Sequence, residues 1–126
     1  MKALILVMGM VIGSINANTV NLAAVSKALS DGDAVALGAY FDQRVELTIM
    51  DKQGEYDKTQ ATQAVADFFS KNKAKSFNPV HQGSAKGGTS HYTIGDLSAN
   101  TGNFRVYLYY KSVGERIAIQ EMRIEK

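Results

Sequence analysis

Apolar residues recur every three to four positions in two parts of this chain and every second position in the rest, so it divides into helical and extended stretches. Between Thr19 and Ser30, Leu22, Val25, Ala28 and Leu29 line one helix face. Ser30-Asp31-Gly32 ends that helix, with Gly32 suited to a left-handed cap. Asp33 then caps a second short helix through Ala39, and Leu37, Tyr40 and Phe41 point inward. Asp42 begins the turn out of it. From Arg44 to Met50 the period shortens to two, with Val45, Leu47 and Ile49 on one face and Arg44, Glu46 and Thr48 on the other. This is a half-buried strand. Asp51-Lys52-Gln53-Gly54 is a turn, and Glu55-Tyr56 a brief return strand. Asp57 and Gln60 then form a capping box. The helix they open runs to about Lys71 and buries Ala61, Ala64, Val65, Phe68 and Phe69.

From Phe77 onward the period stays near two. Phe77 to Ser84 is the first strand of a four-strand meander, and Lys86-Gly87-Gly88 makes its turn. Ser90 to Ser98 follows, then the turn Asn100-Thr101-Gly102-Asn103, then Phe104 to Lys111. Ser112-Val113-Gly114-Glu115 turns the chain into the last strand, Glu115 to Ile124. That strand changes phase: Ile117 and Ile119 share one face, Met122 and Ile124 the other. A β-bulge near Gln120 or Glu121 reconciles them, and bulges curve a sheet around a cavity. Pro79 is the single proline, and it confines the first meander strand to an edge or a bulge. Two short helices, a hairpin, a longer helix and a meander, in that order, predict an α+β fold. Its shape is a cone-like roll, N-terminal helices packed on a curved, mainly antiparallel sheet.

The first residues add a compartment. Lys2 precedes an apolar run, Ala3 to Ile12, and Gly13-Ser14-Ile15-Asn16-Ala17 ends on a small residue. This reads as a secretory signal peptide, residues 1–17, cleaved after Ala17. The apolar run is shorter than the ~20 residues of a membrane-spanning helix, and no second such run follows. The mature chain, 18–126, is therefore expected to have no membrane span, to form one domain and to be periplasmic or secreted. There is no cysteine, which removes disulfides, thiolate metal ligands and a cysteine nucleophile. The net charge is +2. The densest basic cluster, Lys71, Lys73 and Lys75, sits at a helix end, where cations complement the dipole. Nucleic acid lacks the basic face it would need.

The element order, with Phe68-Phe69, Ser76-Phe77, Val80-His81-Gln82-Gly83, Phe104-Arg105-Val106-Tyr107 and Ile119-Gln120-Glu121-Met122-Arg123-Ile124-Glu125, resembles an exported bacterial domain-of-unknown-function family. That family lies in the nuclear transport factor 2-like superfamily, and the resemblance covers roughly Val20 to Lys126. It implies the cone-shaped roll and no established catalytic residue. Superfamily relatives include ketosteroid isomerases, polyketide cyclases and dehydratases, which set an Asp or His in the cone as base. Other members are non-catalytic domains that dimerise through the sheet.

His81 is the sharpest chemical candidate. It shares strand phase with Phe77, so both are expected to face the cone, His81 as base or ligand contact and Phe77 as an apolar wall. Asp42, expected near the rim, is a second weak candidate base. His91 opens its strand beside a glycine turn and is expected to be exposed. Two histidines on separate strands do not make a metal site, and no cofactor is expected. Ser84, His81 and Asp96 can be combined on paper into a triad, but no nucleophile elbow accompanies them. Gly83 to Gly88 lacks the Gly-Lys-Ser/Thr ending of a phosphate loop. In the meander, Phe104, Val106, Leu108 and Tyr110 are assigned to the core. That leaves Arg105, Tyr107 and Tyr109 outward, a composition suited to a protein–protein interface.

These readings predict an exported single domain, non-enzymatic rather than catalytic. It would self-associate as a homodimer through its sheet and hold a small apolar ligand in the cone. The alternative is a cone-pocket isomerase, cyclase or dehydratase with His81 as general base and a nearby tyrosine as donor.

Overall fold

The apolar spacing near the N-terminus becomes helix α1 (Ala17–Asp31), with Val25, Ala28 and Leu29 buried. The computed structural model describes residues 17–84 and 88–126. The expected signal segment therefore lies outside the described residues except for Ala17, as do Lys86 and Gly87 of the expected turn. Gly32 ends α1 in the left-handed region, φ 68°. Asp33 caps α2 (Ala34–Gly38), its carboxylate accepting from the Ala36 amide at 3.1 Å. Leu37 is fully buried behind that cap.

Strand β1 (Phe41–Ile49) starts earlier than the sequence predicts and takes in Asp42. Phe41 is a core residue paired with Ile119, so the chain is extended before the alternation becomes visible. The turn after β1 is also tighter. Only Met50 and Asp51 separate it from β2 (Lys52–Asp57), and Met50 adopts φ 57°. Gly54, expected in the turn, lies in the strand opposite Leu47 under the Tyr56 ring. Asp57 and Gln60 form the capping box of α3 (Lys58–Lys71), which buries Ala61, Val65, Phe68 and Phe69.

The meander consists of β3 (Ala74–Ser84), β4 (Ser90–Ala99), β5 (Gly102–Val113) and β6 (Arg116–Glu125). Its described turns are two residues long, Asn100-Thr101 and Gly114-Glu115, because flanking residues expected in the loops are drawn into the ladder. The six strands run in the order β2-β1-β6-β5-β4-β3. All neighbours are antiparallel except β1 and β6. The sheet does not close.

Two bulges bend it. On β6, Tyr109 pairs with Glu121 but Tyr110 pairs with Ile119, leaving Gln120 as the extra residue. That single insertion brings Ile117, Ile119, Met122 and Ile124 onto the same buried face, as the phase change in the sequence requires. On β3, Pro79 pairs with Gly95 but His81 pairs with Ile94, so Val80 is extra. Proline lacks an amide to donate, and it sits at a bulge on an edge strand, where that loss is tolerated. The core lies between the concave face and the helices, with Phe68 packing edge-on to Phe104 at 5.1 Å. Among the described residues, no helix is long and apolar enough to cross a membrane.

Candidate functional site

Curvature keeps α3 from closing fully onto the hairpin side of the sheet. A cleft of about 590 Å³ opens there, within the size range of small-molecule sites. Its floor is apolar and buried: Leu47 from β1, Phe68 from α3 and Phe104 from β5. Ile49, Tyr56 and Ala64 continue the wall, half-buried. The rim carries Asp51, Lys52, Asp67, Lys71 and Lys126. Lys71 pairs with Asp67 at 3.3 Å, and the Lys126 ammonium lies 4.9 Å from the Phe104 ring centre. The polar groups at the turn end satisfy one another. The Thr101 hydroxyl donates to Asn72 Oδ1 at 2.6 Å, and Asn72 Nδ2 donates to the Phe68 carbonyl at 2.9 Å. Such a lining makes the floor apolar and leaves charge only at the mouth.

The sequence candidates lie elsewhere. The Val80 bulge breaks the phase that would have put His81 beside Phe77. His81 is exposed opposite Ile94 on the convex face, whereas Phe77 packs against the core over Gly95. Asp42 is held at the β6 bulge: one carboxylate oxygen accepts from the Gln43 amide at 2.8 Å, the other from Gln120 Nε2 at 3.3 Å. None of the three lines the cleft. The residues that do, Leu47, Phe68 and Phe104, carried a clear apolar signal, but it is the same signal as a filled core. The Ser84–His81–Asp96 combination is not assembled either, because Asp96 is ion-paired with Arg105 at 2.8 Å.

The convex face does bring together Arg105, Tyr107 and Tyr109. Tyr109 lies opposite Tyr92, Tyr107 opposite Ile94, and Arg105 opposite its partner Asp96. The Arg123 guanidinium sits 5.2 Å from the Tyr107 ring centre, and its hydrogen bond to Glu125 raises its proton affinity above the ordinary value. At the far end of the concave face a smaller cleft, about 280 Å³, contains His91 rather than His81. Among the described residues, no three His, Asp or Glu side chains gather as a metal site.

Residues 22–125 match the family described as Domain of unknown function (DUF4783). A DUF4783 family protein from Bacteroides ovatus is 36% identical, with a TM-score of 0.77 over 82% of this chain and 93% of that one. One from Bacteroides fragilis is 32% identical, with a TM-score of 0.76 over 82% and 95%. An NTF2-like protein of unknown function from Shewanella baltica shares the fold at 11% identity, TM-score 0.64, over 90% and 94%. No curated protein matches the sequence. The chain belongs to the DUF4783 family, a domain of unknown function built on the nuclear transport factor 2-like fold.

Proposed function

We propose that the protein is an exported binding domain that takes a small, mainly apolar ligand in the cleft beneath α3. The cleft itself carries this reading: its volume suits a small molecule, its floor is aromatic and aliphatic, and its charges are confined to the rim. Burying apolar ligand surface there contributes roughly 25 cal/mol per Å². The alternative, an isomerase, cyclase or dehydratase, needs a base inside the cleft. His81 lies on the other side of the sheet, and Tyr56 is the only titratable side chain of the inner wall among the described residues. Export rests on the Lys2 to Ala17 pattern.

The test is titration with the fluorescent probe 1-anilinonaphthalene-8-sulfonate. Ala64→Phe places a ring into the cleft from a half-buried helix position. Wild type should bind the probe at one saturable site, and the variant about tenfold more weakly, while keeping its circular dichroism spectrum. Equal binding by a folded variant would refute the assignment.

A second reading concerns the convex face, where Tyr92 and Tyr109 are both exposed and face each other across the ladder. The patch formed with Ile94 and Tyr107 supports self-association through the sheet.

A further inference from the structure

The concave face ends differently on its two sides. Opposite the apolar cleft, its strand ends carry a compact polar cluster centred on His91. The Ser84 hydroxyl lies 2.8 Å from Nδ1 and the Ser112 hydroxyl 2.8 Å from Nε2. Three strands thus meet at one ring. The imidazole stacks on Tyr110, 5.5 Å between centroids at 26°, and the Tyr110 hydroxyl is 3.2 Å from that of fully buried Thr93. The ring is therefore held in place from the core side. Leu22, Gln82 and Ile117 complete the walls, and the Ser84 side opens to solvent.

Proton counting gives this cluster a property that a single hydrogen bond lacks. A neutral imidazole donates from one nitrogen and accepts at the other. One serine then spends its proton on the ring, and only the other can donate outward. An imidazolium donates from both nitrogens, so both serine oxygens become acceptors and both hydroxyl protons are free to point into the cleft. Protonation therefore adds a positive charge and a second outward donor together. We propose that this end of the roll is a second binding site, for a small oxyanion that accepts hydrogen bonds from the Ser84 and Ser112 hydroxyls and is balanced by the charge of the His91 imidazolium between them. The anion and a proton bind as a pair.

Among the described residues lining the cleft, no charged side chain competes with His91, and Tyr110 is the one other titratable group. Nearby elements α1, β3, β5 and β6 contribute Leu22, Gln82, Ser112 and Ile117, all uncharged. Carboxylates and tetrahedral anions share the required chemistry. The ~280 Å³ volume admits either.

The test follows the histidine C2 proton by NMR in His81→Gln, which leaves His91 as the single histidine of the chain. The range is about pH 5 to 8. Sodium sulfate and sodium acetate are each compared with sodium chloride at equal ionic strength. One or both should raise the His91 titration midpoint by about one unit, corresponding to about tenfold tighter binding to the protonated form. Sulfate alone would identify a tetrahedral anion, and acetate alone a carboxylate. Ser84→Ala/Ser112→Ala should lose the rise. If that pair does not fold, Ser84→Ala alone, at an exposed edge position, should lower it by roughly half. An unchanged midpoint with both anions, or an equal rise in the serine variants, would overturn the proposal.

Discussion

Gly95 shows how closely the concave face is fitted at a single residue. A Cβ there would lie 2.4 Å from the tip of the Phe77 ring and 2.8 Å from the Asn78 carbonyl. The ring could turn aside, but the carbonyl belongs to the paired strand and cannot. Gly95→Ala should therefore destabilise the domain by about 1–3 kcal/mol, measured by urea denaturation. A value indistinguishable from zero would mean that β3 yields freely. Several residue-scale features were open to direct reading because they depend on local backbone chemistry. Gly32, Asp33, Asp57 and Gln60 act where their spacing says they should. Alternation alone does not fix the facing of His81, which depends on whether Val80 is counted in the ladder. Pro79 signals an edge or a bulge, but not that one extra residue follows it.

At the scale of elements, the six strands and three helices of the described residues follow from period and caps, while their ends do not. Phe41, Ala74 and Gly102 join strands because partners across the ladder hold them there. The partners of Phe41 and Ala74 are distant in sequence, so no local pattern announces them, whereas Gly102 pairs with Ala99 across the tight turn. The β6 bulge is the instructive exception. Four apolar residues with a broken period can share one face only if an extra residue intervenes, and Gln120 is that residue. Inserting one alanine after Gln120 should turn Met122 and Ile124 outward, or Ile117 and Ile119 if the slip occurs on the other side. Loss of a cooperative thermal transition is expected, whereas Gln120→Ala should retain it. An insertion variant melting like wild type would show that the pairing of β6 with β5 and β1 absorbs a second extra residue without loss of the core face.

The whole molecule adds what no element contains: the spacing of α3 and α1 from the sheet, and the cleft that each leaves open at its own end. Leu47, Phe68 and Phe104 look like core in the sequence because their composition is that of core. Whether they enclose a cleft depends on curvature, and hence on bulges in strands far from them. The convex face is likewise a property of the assembled sheet, which sets Tyr92 beside Tyr109 and His81 beside Ile94. If the protein self-associates through this face, Tyr107→Glu should shift its elution on a sizing column towards the monomer. An associated species that elutes unchanged would remove this surface from consideration.

The most direct measurement is a backbone amide shift map of the protein titrated with 1-anilinonaphthalene-8-sulfonate. Binding in the cleft predicts saturable shifts centred on Leu47, Ile49, Tyr56, Phe68 and Phe104, absent in Ala64→Phe. Shifts centred instead on Tyr92, Ile94, Tyr107 and Tyr109, with the cleft residues unmoved, would contradict a ligand-binding role for the interior.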